Sequence, residues 1–293
     1  MVHELVSDAQ RADYERHGAV CLRAVFDDAW IAKLRAGFEH NLSHPSDRAS
    51  LFFGDAMGFV GLRDSETRGA YTGRDDLATA PRFMNDVDNW RAVPAYEDFL
   101  FHSPVAELAA RVMGSAKANL LLQDVMMKAA GADQPTPWHQ DAPSQPFQGD
   151  QSCAVWIPLD PVAREHNIEY VAGSHRWAEA YLQLDVADPE AHYGPGVAAF
   201  RQTPDINAHR DDHEILGWDV EPGDCIVHHG YVLHGAPGNA AVQRRRTFIA
   251  RWTGDDIRYH GSKQRQLRPE YPDCRLKDGA PMDSDTFPVI WRA

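Results

Sequence analysis

Five short apolar runs decide how this chain is read: NLLLQDVMMK (119–128), SCAVWIPLD (152–160), EYVAG (169–173), CIVHHGYVLHG (225–235) and TFIARW (247–252). Each has strand length and is rich in β-branched, aromatic or long aliphatic residues. Clusters of Gly, Pro, Asp and Asn separate them. Strands at this spacing with turn signals between them are the pattern of an all-β sandwich or barrel.

Upstream of residue 118 the texture is different. Ser7 and Asp8 can cap a helix running through Arg16, and Gly18 can end it. AVCLRAVF (19–26) reads as a short β-rich run. Asp27 and Asp28 then cap a second helix, in which Trp30, Ile31, Leu34 and Phe38 recur at helical spacing and predict a core-facing stripe. Residues 44–80, rich in Gly, Asp, Ser and Arg, read as a long loop or lid. A further helix is expected over about 95–112, with Gly114 as its C-cap. The polar, Pro-rich tail 254–293 reads as an irregular extension wrapping the barrel. The expected architecture is one α+β domain spanning 1–293: a helical part to about 117, a double-stranded β-helix (jelly-roll) core over about 118–253, and the extension.

Composition narrows the function classes. A formal net charge of −14 opposes phosphate backbones and anionic lipid surfaces, so nucleic-acid and membrane partners are not expected. MVHELVSDAQRADYERHG has no basic start followed by an apolar run, and no stretch has the length of a membrane-spanning helix. Cys21, Cys153, Cys225 and Cys274 are scattered and form no CxxC pair, which fits a reducing cytoplasm and offers no zinc knuckle. No heptad pattern indicates an oligomeric state.

Chemistry concentrates in TPWHQDAP (136–143). On a strand, residues two apart share a face, so His139 and Asp141 can grip one ion together. A second histidine would complete the two-histidine, one-carboxylate facial triad of non-haem iron oxygenases. Alone, His-x-Asp is a weak signal; a second copy, His209-Arg210-Asp211, lies in a polar run without strand character and reads as a decoy. The distal histidine has three candidates: His228, His229 and His234. His234 is preferred, because Gly235 follows it and an arginine-bearing strand comes next; His229 is expected to sit behind the ligands or to pack in the barrel. In that strand, RRRTFIARW (244–252), an inward Arg245 would share its face with Thr247, Ile249 and Arg251. An inward arginine in an apolar barrel needs an anion, and a dicarboxylate cosubstrate supplies one. Arg251 could then meet a carboxylate or phosphonate on a substrate, or sit in a salt bridge at the barrel end. Arg244 and Arg246 are expected at the surface. Phe83, Asn85, Trp90, Gln123 and Phe147 flank the expected mouth.

In order, these pieces resemble the phytanoyl-CoA dioxygenase family of iron/2-oxoglutarate oxygenases. DAQRADYERHGAVCLRAVFDDAWIAKLR looks like its opening helix–strand–helix, and WHQD (138–141) like its iron motif. VWIPLDPVAREHNIEYVAGSHR (155–176) resembles its strand and PGSH-type turn, with Ala172 in place of proline. PGD (222–224) through HGYVLHGAPGN (229–239) resembles its distal-histidine segment, and RRRTFIARW its cosubstrate strand. The resemblance covers nearly the whole chain to about residue 253. It implies Fe(2+), 2-oxoglutarate and O2 as cofactors, with His139, Asp141 and His234 as metal and catalytic residues. Arg245 would bind the distal carboxylate of 2-oxoglutarate. Thr136 stands where the family often has a cosubstrate contact, and Lys128 is a candidate of the same kind. Trp156 matches a recurrent structural tryptophan. Halogenating relatives replace the carboxylate ligand with a small residue, so Asp141 implies hydroxylation or another oxygen-dependent oxidation of a small molecule. The competing readings are a non-catalytic jelly-roll sensor and a zinc or cupin-type metal enzyme.

Overall fold

The computed structural model describes residues 5–53, 59–61, 81–181, 201–241, 243–261, 271 and 273–293. Helix α1 (Asp8–His17) begins with a capping box: the Gln10 N–H donates to the Ser7 hydroxyl (3.3 Å), and the Gln10 side chain accepts from the Ser7 N–H (2.9 Å). Such a cap contributes about 1 kcal/mol. The helix closes on Gly18, whose φ of +80° is left-handed and where a Cβ would lie 2.4 Å from His175 Nδ1. Strand β1 (Ala19–Leu22) and helix α2 (Asp28–Ser43) follow, the latter capped by the Asp27 carboxylate accepting from Trp30 N–H (3.0 Å). Ile31, Leu34 and Phe38 are buried, as their spacing predicts.

The single helix expected over 95–112 is two, α3 (Pro94–His102) and α4 (Val105–Met113). Pro104 has no N–H to continue the ladder and drives Ser103 into an extended conformation (φ −80°, ψ 169°). Gly114 (φ +65°) ends α4 as expected.

The 44–80 stretch is not only loop. It contains β2 (Ser50–Phe52) and β3 (Phe59–Gly61), which pair with each other; 54–58 and 62–80 lie outside the described residues. The other strands are β4 (Phe83–Val87), β5 (Lys117–Lys128), β6 (Thr136–His139), β7 (Phe147–Gln148), β8 (Ser152–Pro158), β9 (Glu169–Val171), β10 (Ile215–Leu216), β11 (Cys225–His229), β12 (His234–Ala236), β13 (Arg245–Thr253), β14 (Arg258–Tyr259) and β15 (Val289–Arg292). A nine-stranded major sheet runs β1-β11-β8-β13-β5-β4-β2-β3, with β15 also on β5; a four-stranded minor sheet runs β10-β9-β12-β6. A two-stranded ribbon, β14-β7, completes the set. The ladders are antiparallel.

Alternation along β13 shows how the layers divide. Phe248, Ala250 and Trp252 point to the helices and share a core with Phe38, Tyr96, Phe99 and Leu108. Burying a large apolar side chain of this kind contributes about 1.5–3 kcal/mol, so this face carries much of the stability. Ile249 points the other way and packs with Trp156, Ile226 and Tyr170. The polar Asp86 on the helix face is buried but satisfied, accepting from Asn41 Nδ2 (2.7 Å), Ser46 N–H (2.8 Å) and Asn89 Nδ2 (3.1 Å).

The tail is more regular than expected. Strand β5 is twelve residues long and outruns β4, which pairs only with Asp124–Lys128; β15 occupies the same edge nearer the strand's start, opposite Lys117–Asn119. Met282 and Phe287 pack with Leu121, Leu122 and Phe147. An extended edge left unpaired would be an aggregation hazard, and the tail covers it.

Candidate active site

The minor sheet places the two histidines side by side. His139 on β6 and Tyr170 on β9 both stand opposite His234 on the central strand β12. The ring centroids of His139 and His234 are 4.1 Å apart. Each imidazole is tied back through Nδ1, His139 to the Pro137 carbonyl (2.8 Å) and His234 to the Val232 carbonyl (3.0 Å). A carbonyl can only accept, so Nδ1 carries the proton and Nε2 presents a lone pair. Burial lowers the pKa of His139 and drives that of His234 well down, which keeps both rings in the neutral, ligating form.

Asp141 lies just past the end of β6, at the head of a short 3-10 turn (Ala142–Ser144). Its Oδ1 is 3.8 Å from His139 Nε2 and 4.0 Å from His234 Nε2. One ligand atom from each of the three residues falls within 4.8 Å of the others, the spacing of a three-point metal grip. Two neutral imidazoles and a carboxylate suit a mid-row divalent metal such as ferrous iron, and the set leaves positions open.

The major sheet holds the carboxylate. Arg251 Nε donates to Asp141 Oδ2 (3.0 Å) and Nη2 to Oδ1 (3.2 Å), while Nη1 donates to the Asp124 carboxylate on β5. His228, on β11, lies 3.4 Å from Asp141 Oδ2 through Nε2 and 3.2 Å from the Tyr170 hydroxyl through Nδ1. The Nε2–H tautomer satisfies both contacts, since the tyrosine can donate to Nδ1. Burial pushes the Asp141 carboxyl up, but the Arg251 guanidinium and the His228 bond outweigh it and hold the group well below the usual carboxylate range.

At the other end of β13 lies a buried pair of basic side chains. Arg245 is directly opposite Lys128, and they are 8% and 2% exposed. Arg245 Nη1 donates to the His166 carbonyl, and Lys128 Nζ to the carbonyls of Gln134 (2.8 Å) and Pro237 (3.1 Å). Among the described residues neither has a carboxylate partner. Burial lowers Arg245 to about 10; burial, helped by the neighbouring guanidinium, lowers Lys128 to about 6. A buried guanidinium beside a buried amine that burial holds largely neutral, with no anion among the described residues, forms a site that an anion would complete.

Thr136 is returned to the ligand face by a bulge. Strand β6 has one residue more than β12 between the pairs His139–His234 and Thr136–Ala236, so Thr136 stands across from Ala236, two residues along from His234. Trp138 falls on the opposite face, where its indole N–H donates to Asn207 Oδ1 (3.0 Å).

Other expectations require correction. Arg251 does face inward, and of the two roles expected for it the salt bridge is the one seen, its guanidinium lying between Asp141 and Asp124. Arg246 is not at the surface: it is buried between Asp160 and Glu39, while Arg244 reaches Glu39 from outside. His229 turns to the helix side toward Asp150 (3.4 Å), and His228 is the histidine behind the ligands. Phe83 and Asn85 lie on the ligand face, opposite Lys128 and Met126. Trp90 instead packs in the helical core, Gln123 opposes Ala250 on the helix face, and Phe147 packs under the tail. His209 is exposed on a 3-10 turn whose Arg210 pairs with Glu169, as a decoy would be.

A two-histidine, one-carboxylate grip on the minor sheet, with the buried Arg245–Lys128 pair on the major sheet, is the arrangement of a mononuclear non-haem metal site of the oxygenase type. The model of the phytanoyl-CoA dioxygenase (PhyH) family matches residues 14–247. The chain belongs to that family, whose members are 2-oxoglutarate-dependent dioxygenases. It is 22% identical to a probable phytanoyl-CoA dioxygenase of Caenorhabditis elegans, over 98% of this chain and 91% of the relative. It is 25% identical to the 1-deoxypentalenic acid 11-beta-hydroxylase of Streptomyces exfoliatus, over 81% of this chain and 77% of the relative. Among solved structures, the fold is similar to the non-heme alpha ketoglutarate dependent epimerase SnoN from nogalamycin biosynthesis (TM-score 0.69, 22% identity, 97% and 98% of the two chains). It is also similar to EctD from S. alaskensis, solved with 2-oxoglutarate and 5-hydroxyectoine (TM-score 0.66, 15% identity, 96% and 88%). No helix among the described residues is long and apolar enough to cross a membrane.

Proposed function

We propose that this protein is an iron(II)- and 2-oxoglutarate-dependent oxygenase that hydroxylates a small organic substrate. The major and minor sheets are read as the two walls of a double-stranded β-helix, and the whole chain as one catalytic unit with α1–α4 backing the major sheet. The observation that carries the reading is the convergence of His139 Nε2, His234 Nε2 and Asp141 Oδ1, with both Nδ1 atoms already committed to carbonyls.

The residues fit the group they would hold. His139, Asp141 and His234 would bind ferrous iron. Arg245, with Lys128 beside it, would hold the distal carboxylate of 2-oxoglutarate, with Thr136 on the same side of the site. Bound there, iron and 2-oxoglutarate supply the oxidising power: the substrate, 2-oxoglutarate and O2 give hydroxylated substrate, succinate and CO2. The chain's own work is to fix three ligand atoms and to seat a dianion against the buried Arg245 guanidinium and the Lys128 amine, which takes up a proton as the anion arrives. Asp141 fills the third ligand position, which favours transfer of oxygen over halogenation. The solved relatives that carry out epimerisation and carbocyclisation show that this fold hosts more than one outcome.

A zinc hydrolase would use the triad but leave Arg245 and Lys128 buried without a purpose. A non-catalytic sensor would not need ligands and the Arg245–Lys128 pair intact together. The test is succinate formation by iron-loaded protein supplied with 2-oxoglutarate and O2. Slow turnover without substrate that is lost in His139→Ala and His234→Ala supports the proposal. Iron-loaded protein that neither forms succinate nor binds 2-oxoglutarate refutes it.

A further inference from the structure

Asp141 is the ligand that the fold holds least firmly. His139 and His234 sit within paired strands and are tied to the backbone through Nδ1, whereas Asp141 heads a three-residue 3-10 turn and its carboxylate makes no side-chain cap. Its orientation has to come from outside. Two nitrogens of Arg251 lie along the carboxylate at 3.0 and 3.2 Å, and the third reaches Asp124, which is itself 4% exposed. Arg251 and Asp124 come from neighbouring strands β13 and β5 of the major sheet, whereas the histidines come from the minor sheet.

We propose that Arg251 and Asp124 act as a positioning pair for the metal-binding carboxylate of Asp141, rather than Arg251 serving as a receptor for an anionic substrate. The inference rests on the iron site proposed above. Arg251 fixes the plane of the carboxylate: Oδ1, which also accepts from Nη2, faces the two imidazoles, while Oδ2 is held by Arg251 Nε and His228. An arginine alone would cancel the charge of Asp141 and weaken the site's hold on a divalent cation. Asp124 shares the guanidinium, so Asp141 does not have to neutralise it alone and keeps more of its charge for the metal. Neither residue needs to touch substrate for this role.

The experiment is an anaerobic titration with ferrous iron, followed by 2-oxoglutarate, of wild type, Arg251→Lys, Asp124→Asn and the double variant Arg251→Gln/Asp124→Asn. The readouts are iron affinity and the position of the visible charge-transfer band, with thermal melting as the control for folding. The double variant removes one charge of each sign, so it guards against a single variant that does not fold. Arg251→Lys, which keeps the charge but loses the two-nitrogen fork, is expected to weaken iron binding by about 10- to 100-fold and to shift the band. Asp124→Asn is expected to have a smaller effect in the same direction, and the double variant to fold but not recover affinity. Folded variants that bind iron within twofold of wild type with an unmoved band would overturn the proposal. So would an Arg251→Lys protein whose iron site is intact but whose succinate formation no longer responds to an anionic substrate. A wild type that binds iron but gives no band with 2-oxoglutarate would refute the oxygenase reading instead.

Discussion

Arg245 and Arg251 project from the same face of one strand, and their surroundings are opposite. Arg245 lies beside the buried Lys128 amine, makes its contact to a carbonyl, and is lowered to about 10 by burial. Arg251 is pinched between two carboxylates and held above its ordinary range. Read by charge alone, both are inward arginines seeking an anion. What separates them is the opposing side chain on β5, Lys128 in one case and, near the other, Asp124 reaching across. The first end of the strand is electrically open and built to receive a ligand; the second is closed and built to hold a protein group still.

That contrast can be broken from either end. Replacing His139 or His234 with Ala should have the largest effect, abolishing iron binding, as measured by equilibrium dialysis. Arg245→Gln should leave iron binding intact but weaken 2-oxoglutarate by roughly a hundredfold, about 3 kcal/mol, because a buried charge-assisted pair loses one partner; calorimetric titration checks it. If Arg245→Gln instead disturbed iron, the two ends would not be separate.

Lys128 sharpens the comparison through pH. Its folded-state pKa, about 6, is below that of a free lysine, so between about 10 and 6 the unfolded chain binds a proton that the fold refuses. Stability from this group is present at high pH and is lost as pH falls through that window. Without 2-oxoglutarate, melting temperature should therefore fall between pH 9 and pH 6.5 more in wild type than in Lys128→Met. An arriving dianion favours the ammonium, so binding should take up a proton near neutral pH and weaken as pH rises. Heats measured in buffers of different ionisation enthalpy would reveal the proton, and Lys128→Met should abolish it.

The smallest effects are expected from two adjacent histidines. His228→Gln should weaken iron by about tenfold through Asp141, in line with other outer partners of metal ligands. His229→Gln, on the opposite face toward Asp150, should change iron affinity less than twofold and report only in melting temperature.

These two residues also mark where sequence stops being informative. The Ser7 cap of the first helix, the terminating Gly18 and Gly114, and the alternation of RRRTFIARW were legible, because local chemistry fixes them; the reciprocal bond from Ser7 N–H to Gln10 was not foreseen. In CIVHHGYVLHG, His228 and His229 must face opposite sides, but which one faces inward depends on the pairing of β11 with β1 and β8. Asp124 in LLLQDVMMK has no local signal, since its partner Arg251 comes from the far end of the chain. The same holds for β2 and β15, short segments that become strands only because a neighbouring edge accepts them. Thr136 was placed by resemblance, and the bulge that turns it to the ligand face could not be read from TPWH.

The most direct test of the central claim is an anaerobic titration of the iron-loaded protein with 2-oxoglutarate, followed by its visible metal-to-ligand charge-transfer band, in wild type and Arg245→Gln. The expected result is a band that saturates in wild type and needs about a hundredfold more 2-oxoglutarate in the variant. A colourless wild type, or a variant that saturates at the same concentration, would contradict it.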